Sequence, residues 1–208
     1  MDKKSLKLLL ILPLLIAFKA NAATYDFNCI TSNDSTGVSC DTAEAQMSVD
    51  VIDAGSNQVE FLFNNVGSSN GFIADVYFYD GPVLGAYTMT GSSGVAFSEG
   101  ARPGLLPAYD RTASLIFSAD SDAPVAGNGI QAGEWLSITF DLINGNTYAD
   151  ILTLMDLGAP DGLVVGIHAQ GLGANDFSES LITAVPVPAA LWLFGTGLIG
   201  LLGFARRK

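Results

Sequence analysis

Acid–base or nucleophilic chemistry in this chain would draw on one histidine, two cysteines and 21 acidic residues. The histidine, His168, lies in a segment of period two that places it on the opposite strand face from Val165 and Ile167. A Ser-His-Asp hydrolase could use it as a general base, but the serines cluster in predicted turns and not at a strand-to-helix elbow. We therefore predict that His168 hydrogen bonds on a sheet face and that the protein has no catalytic residues.

Two groups of acidic residues are candidate calcium ligands, because extracellular modules bind this ion through several carboxylate and carbonyl oxygens. The first group is Asp120 with Asp122. The second group is a turn whose oxygen-bearing side chains are Asn175, Asp176, Ser178 and Glu179. The D-x-D-x-D-G calcium loop is absent from the sequence, so we predict no bound metal or other cofactor and keep a calcium ion as the alternative.

The charges of the chain are unevenly distributed. The formal net charge is −12, from 9 Lys and Arg against 21 Asp and Glu. Seven of the nine basic residues lie in the first 19 or the last three positions, so residues 23–185 contain two basic and 20 acidic residues, a formal charge of −18. Because phosphate binding needs a basic face, this distribution argues against nucleic acid as a partner.

The first 22 residues have the three-part layout of a secretory signal peptide. The basic residues of its start are Lys3, Lys4 and Lys7. An apolar run, 8–18, follows, and the small residues Ala20 and Ala22 form the exit. We predict export through a translocon and cleavage after Ala22, with an uncleaved anchor or a buried helix as the alternative.

The last 24 residues combine a short proline motif, an apolar helix and a basic tail. The motif residues are Val185, Pro186, Val187, Pro188 and Ala189. Residues 189–205 carry no charge and are long enough, at about 1.5 Å per residue, to cross most of a hydrocarbon core. The tail residues Arg206, Arg207 and Lys208 would hold the C-terminus on the cytoplasmic side, by the positive-inside rule.

This order of elements resembles the PEP-CTERM sorting signal of bacterial exosortase substrates. The resemblance covers Val185 to Lys208, and the motif Pro186-Val187-Pro188 is closer to the VPLPA variant than to Pro-Glu-Pro. It implies that an exosortase, a membrane protease, removes the helix near Pro188 and that the body is transferred to the cell surface or released. A permanently anchored protein with a single membrane span is the alternative.

The two cysteines, Cys29 and Cys40, lie near the predicted mature N-terminus. An even number of cysteines in a secreted chain favours a disulfide, and no histidine lies nearby to complete a metal site. A bridge across this loop would contribute about 2–3 kcal/mol on chain-entropy grounds. We predict the disulfide, with two free thiols or a metal pair as alternatives.

Between the two ends, apolar and polar residues alternate with a period of two. The runs begin near residues 47, 59, 72, 115, 136 and 165, and turns rich in Gly, Asn, Asp and Ser separate them. This pattern is typical of half-buried strands, and we predict an all-β fold, an antiparallel β-sandwich of the jelly-roll-like kind, over residues 23–184. Residues 1–22 and 185–208 flank this domain as the signal peptide and the sorting signal.

One segment of the body has helical spacing. Tyr148, Ile151 and Met155 repeat at intervals of three and four, and Thr147 is a candidate N-cap with Asp150 at N3. Glycine at position 158 and proline at position 160 would stop the helix. We predict one short helix packed on an end or edge of the sandwich, with an exposed strand as the alternative.

Three function classes follow from these features. The first is a non-enzymatic exported protein of structural or interaction type, at the cell surface or in the extracellular matrix, associated with exopolysaccharide or biofilm. The second is a lectin-like carbohydrate-binding module with or without calcium. The third is a secreted hydrolase with an acidic pair such as Glu60 and Glu134, since the separation of two carboxylates is a three-dimensional quantity. We favour the first class, with exopolysaccharide as a further partner.

Overall fold

The computed structural model describes residues 21–79, 81–109 and 113–184. These residues form one antiparallel sheet of ten strands in the order β5-β8-β3-β2-β1-β10-β9-β4-β7-β6. The strands are β1 Ala22–Cys29, β2 Met47–Gly55, β3 Gln58–Asn65, β4 Phe72–Tyr79, β5 Leu84–Gly91, β6 Phe97–Glu99, β7 Leu115–Ser121, β8 Trp135–Leu142, β9 Val164–Leu172 and β10 Phe177–Thr183. The helices are α1 Val38–Gln46, α2 Val125–Asn128 and α3 Tyr148–Leu157, with a 3-10 turn at Gly173–Asn175.

Strand β1 joins the two halves of the sheet. Its first part, Ala22–Asp26, pairs with β2, and its last part, Phe27–Cys29, pairs with β10. We call β5, β8, β3 and β2 the front half and β10, β9, β4, β7 and β6 the back half. The prediction of an antiparallel all-β fold is confirmed. The two halves belong to one sheet because β1 hydrogen bonds to both of them, and this sheet is nearly closed. The jelly-roll topology stays a prediction.

The alternation read from the sequence corresponds to the buried face of the sheet. In β3 and over residues 47–52 of β2 every second residue is buried, as the period-two pattern predicts. Rings from both halves meet between them, and Phe78 makes edge-to-face contacts with the rings of Phe61, Phe63, Phe117 and Phe140 at centroid distances of 4.9 to 6.0 Å. These contacts hold the front half against the back half.

Strand β4 differs from this pattern, because all eight of its residues are buried. The segment 101–109 lies over the outer face of the back half and covers Tyr77 and Tyr79. The Tyr77 hydroxyl donates a hydrogen bond to the carbonyl of Pro103 at 2.8 Å, and the Tyr79 hydroxyl accepts one from the amide of Leu106 at 2.8 Å. The back half therefore carries a second small core on its outer face.

The predicted helix exists and begins as expected. Helix α3 starts after Thr147, whose hydroxyl accepts from the Asp150 amide while the Asp150 carboxylate accepts from the Thr147 amide, a complete capping box. It ends at Gly158, where φ is 59°, a left-handed value that favours glycine. Ile151 and Met155 pack into the main core.

The prediction of a single helix is wrong, since α1 and α2 are also present. Helix α1 buries only small or polar side chains, Ser39, Ala43 and Gln46, so it has no apolar stripe for a sequence pattern to reveal. Its first turn depends on Asp34, whose carboxylate accepts a hydrogen bond from the Ser39 amide at 3.2 Å. Helix α2 is a single turn after Pro124.

The predicted end segments lie almost wholly outside the described residues. The signal peptide overlaps the structure only at Asn21 and Ala22, and the sorting motif and basic tail fall beyond residue 184. In the part of the chain that the structure describes, no helix has the length and apolar character needed to cross a membrane. The membrane helix predicted for residues 189–205 lies outside that part.

Candidate functional site

One row of polar residues crosses the outer face of the back half. The strand register pairs Ser98 of β6 with Asp120 of β7, Asp120 with Asp75 of β4, Asp75 with His168 of β9, and His168 with Ser180 of β10. Residues directly opposite each other in neighbouring strands point to the same face of a sheet. Three titratable side chains, Asp75, Asp120 and His168, therefore lie side by side across β7, β4 and β9.

Asp75 is the centre of this cluster and is only 1% exposed. One of its carboxylate oxygens lies 3.0 Å from Nδ1 of His168, and the other accepts a hydrogen bond from the backbone amide of Arg102 at 3.3 Å. Gln170 Nε2 lies 3.4 Å from the same His168 nitrogen. A buried carboxylate is costly unless such partners compensate it, and here the partners come from three elements: β9, the covering segment 101–109 and, through Asp120, β7.

The prediction that His168 hydrogen bonds on a sheet face is confirmed by its contact with Asp75. The segment Gly67–Gly71 has the letters of a G-x-S-x-G motif, but it forms a bend between strands β3 and β4 and not a strand-to-helix elbow. Asp75 was not predicted as a site residue. The sequence feature that could have indicated it is its position as the one acidic residue within the apolar run Phe72–Tyr79.

Asp120 has an unusual protonation equilibrium. Its pKa is raised from the usual 3.8 to about 6, chiefly by burial and then by the charge of Asp75 and a side-chain hydrogen bond to it, while Arg102 opposes the rise. Two carboxyl groups in hydrogen-bond contact must share a proton, since two carboxylates offer only acceptors. Between about pH 4 and pH 6, therefore, Asp120 holds a proton that an ordinary aspartate would have lost.

Beside this cluster is a cavity of about 520 Å³. Its polar lining consists of Ser98, Glu99, Arg102, Asp120, Ser121, Asp122 and Gln170. Carboxylate, guanidinium, amide and hydroxyl groups thus face one space, a donor and acceptor set that suits a polar ligand with several hydroxyl groups. Arg102 is the one Lys or Arg side chain within residues 21–79, 81–109 and 113–184.

Replacing Asp120 with asparagine is expected to raise the free energy of unfolding at pH 7 by about 1 kcal/mol, after allowance for solvent screening. The folded-state pKa of Asp120 is raised, so its contribution to stability is complete below about pH 4 and is lost as the pH rises through 6. The asparagine side chain can still donate a hydrogen bond to Asp75. Because it does not titrate, its contribution to stability does not fall as the pH rises. Urea denaturation from pH 4 to pH 8 would measure the difference between the two proteins.

The control for this experiment is Asp122→Asn, which removes a charge from the same cavity. The Asp122 carboxylate accepts from the Ser98 hydroxyl at 2.7 Å and is not the partner of Asp75. An Asp120→Asn protein whose gain in stability is the same at pH 4 and pH 7 would contradict the shared proton.

Glu179, one of the candidate ligands of the alternative with a calcium ion, accepts several hydrogen bonds within the domain. Its carboxylate is fully buried and faces the loop between β1 and α1. The donors to it are the hydroxyls of Thr31 and Ser39, at 2.5 and 2.6 Å, and the amides of Asn33 and Asp34, at 3.0 and 3.3 Å. Calcium binding at the turn 175–179 would require Glu179 to leave these donors.

The predicted disulfide between Cys29 and Cys40 is present, with its Cα atoms 5.8 Å apart. The two sulfurs and a Glu179 oxygen lie within 4.8 Å of one another. Because both sulfurs are bonded to each other, this group ties the N-terminal loop to β10 and does not offer thiolate ligands. The disulfide and Glu179 together hold the loop 30–39 against the back half.

The two residues of the other candidate acid pair, Glu60 and Glu134, have different hydrogen-bond partners in the structure. Glu60 lies opposite Thr139 on the outer face of the front half and accepts from the Ser137 hydroxyl at 2.6 Å. Glu134 precedes β8 and accepts from the Gln131 amide. Each carboxylate thus has its own hydrogen-bond partner, and a glycosidase role for this pair stays an untested alternative.

The described domain is thus an acidic, disulfide-linked antiparallel β domain with a polar cavity on its back half. Comparison with protein families adds the C-terminal segment, because residues 184–208 match the PEP-CTERM protein-sorting motif. The chain therefore carries the sorting motif of exosortase substrates, as the resemblance indicated, and the motif implies a secreted, membrane-anchored precursor that an exosortase processes. No curated protein and no solved structure has a significant match to the chain.

Proposed function

We propose that this protein is a non-enzymatic component of the bacterial cell surface or extracellular matrix, released from its membrane anchor by an exosortase and associated with exopolysaccharide. The match of residues 184–208 to the sorting motif is the observation that carries the proposal. A motif of this kind directs sorting, so it supports a location of the β domain, residues 23–184, in the cell envelope or outside the cell.

The body has properties that suit such a place. Its excess of acidic residues keeps it soluble and repels it from anionic surfaces unless cations intervene. A disulfide persists in an oxidising environment and constrains the N-terminal loop. These properties support a durable domain that functions through its surface.

Processing is tested by changing the motif. In a host with an exosortase, intact-mass analysis of the wild-type envelope protein should show a product that lacks residues 189–208. The double variant Pro186→Ala, Pro188→Ala should yield at least tenfold less of this product, because the protease would lose its recognition motif. Pro107→Ala, a proline change within the body, is the control and should be processed normally. A wild-type protein that still carries residues 189–208 would overturn the proposal.

A lectin-like function is the second candidate, and the cavity beside Asp120 favours it. Carboxylate, amide and guanidinium groups at one site can bind the hydroxyls of a saccharide. Binding of the wild-type protein to a glycan array, lost in Gln170→Ala and retained in Asp141→Asn on the other half of the sheet, would support this function. Loss of binding with a chelator would assign a calcium ion to it.

A further inference from the structure

Two carboxylates flank the disulfide between Cys29 and Cys40. An oxygen of Glu179 lies within 4.8 Å of both sulfurs, and the Glu44 carboxylate accepts a hydrogen bond from the Cys29 amide at 2.8 Å. The Glu179 carboxylate is fully buried, and the amides and hydroxyls around it can donate to both of its oxygens, an arrangement that suits the ionised form. Negative charge is therefore held beside the sulfur atoms.

The position of Cys40 would otherwise favour a thiolate, because Cys40 lies in the first turn of α1 and a helix N-terminus stabilises negative charge. Carboxylates already occupy this helix end. Asp34 accepts a hydrogen bond from the Ser39 amide at 3.2 Å, and Asp41 is the acidic residue of the first turn. These charges offset the helix dipole, so a thiolate formed at Cys40 would gain little from it.

Positive charge is remote from the disulfide. The backbone amide of Arg102 donates to Asp75 of β4, and β4 lies three strands from β1, about 14 Å at the usual spacing of neighbouring strands. His168 lies against Asp75 as well, with 3.0 Å between the two side chains. Among residues 21–79, 81–109 and 113–184, no salt bridge involves Glu44 or Glu179. The two carboxylates at the disulfide therefore keep their full negative charge.

We propose that Glu44 and Glu179 protect the disulfide of this domain from reduction by anionic thiols. Both cysteines are half-buried, so a small thiol can reach the bond, and the repulsion acts on an accessible target.

The chemistry of reduction explains why charge matters. A reagent thiolate bonds to one cysteine sulfur, and the S–S bond breaks so that the other sulfur leaves as a thiolate and takes a proton from water. A second reagent thiolate then bonds to the first reagent sulfur and releases the second cysteine thiolate, which is protonated in turn. The two reagent thiols are oxidised to one disulfide, and each step brings negative charge to the sulfurs beside Glu44 and Glu179.

The test compares thiols of different charge on the full-length chain in neutral detergent at low salt. The reductants are cationic cysteamine, neutral 2-mercaptoethanol and anionic 2-mercaptoethanesulfonate, with each rate divided by the thiolate concentration. For the wild type, the anionic thiol should react about tenfold more slowly than the cationic thiol. About 1 M salt should reduce this ratio of rates, because the Debye length falls to about 3 Å. Alkylation of the released cysteines, followed by mass spectrometry, would measure the rates.

Substitutions separate the two carboxylates from the net charge of the domain. Glu44→Gln removes a charge and keeps an acceptor for the Cys29 amide, so it should lower the ratio of rates about threefold. Glu179→Gln should lower the ratio as well. Asp141→Asn is the matched control, because Asp141 lies on β8 of the front half and accepts from Gln58, and it should leave the ratio unchanged.

The three thiols also distinguish repulsion from a structural effect, because opening of the loop would accelerate all of them alike. Equal rates for the three thiols on the wild type would overturn the proposal. So would a Glu44→Gln protein in which every rate rises by the same factor, or an Asp141→Asn protein whose ratio falls as far as that of Glu44→Gln. Glu44→Gln decides the outcome even if Glu179→Gln does not fold, since the Glu44 side chain is half-buried.

Discussion

Replacing Glu179 with alanine is expected to lower the free energy of unfolding by about 4 kcal/mol, the range for breaking a buried, fully hydrogen-bonded charge site. The carboxylate receives hydrogen bonds from Thr31, Asn33, Asp34 and Ser39, and it has no exposed surface. Without it, the amide of the buried Asp34 and the hydroxyl of the buried Ser39 would lose their acceptor, and so would the less buried Thr31 hydroxyl and Asn33 amide. Urea denaturation of the disulfide-bonded protein, followed by tryptophan fluorescence, would measure the loss.

The matched control is Glu44→Ala. Glu44 also lies next to the disulfide and its carboxylate accepts one hydrogen bond, from the Cys29 amide at 2.8 Å, but the side chain is half-buried. Its loss should cost about 1 kcal/mol, the value of a single hydrogen bond. Equal destabilisation by the two substitutions would show that Glu179 does not organise the loop.

Replacing Phe78 with alanine is expected to destabilise the fold by a similar amount, about 4 kcal/mol. The Phe78 ring is fully buried and meets four other phenylalanine rings, three from the front half and one from β7 of its own half, so its removal leaves a cavity between the halves. Phe97→Ala, at the half-buried edge strand β6, should cost less than half as much. Thermal or urea unfolding of the three proteins would rank them.

Phe78→Leu serves to separate the loss of volume from the loss of the ring contacts. Leucine keeps most of the apolar volume, so we expect a cost of about 1.5 kcal/mol. If Phe78→Ala were no more destabilising than Phe97→Ala, the contact between the two halves at Phe78 would not be the main packing interaction of the core.

Local features of this protein follow closely from its sequence. The capping box of Thr147 and Asp150 involves residues three positions apart, so α3 could be predicted with its start and stop. The alternation of Met47, Val49 and Val51 identifies which face of β2 is buried, because a strand turns successive side chains to opposite faces. Helix α1 could not be predicted in this way, since the side chains that it buries are small or polar.

The site depends on contacts between distant parts of the chain. Asp75, Asp120 and His168 meet because β4 lies between β7 and β9, and a hydrophobic pattern specifies the buried face of each strand without specifying which strands are neighbours. For the same reason Glu179 could be proposed as a calcium ligand from its local turn, although its hydrogen-bond partners lie about 140 residues away.

The sequence by itself therefore determined what depends on short stretches of chain. These features are the sorting motif at 184–208, the strand periodicity, helix α3 and the disulfide between Cys29 and Cys40. A sorting motif is recognised as a linear segment, so its residues need no fold to be identified. Tertiary structure alone decided the strand order, the shared strand β1, the Asp75 cluster and the position of Glu179 beside the disulfide. These features arise from long-range pairing, in which backbone hydrogen bonds are alike for every strand and the packing of whole faces selects the partners.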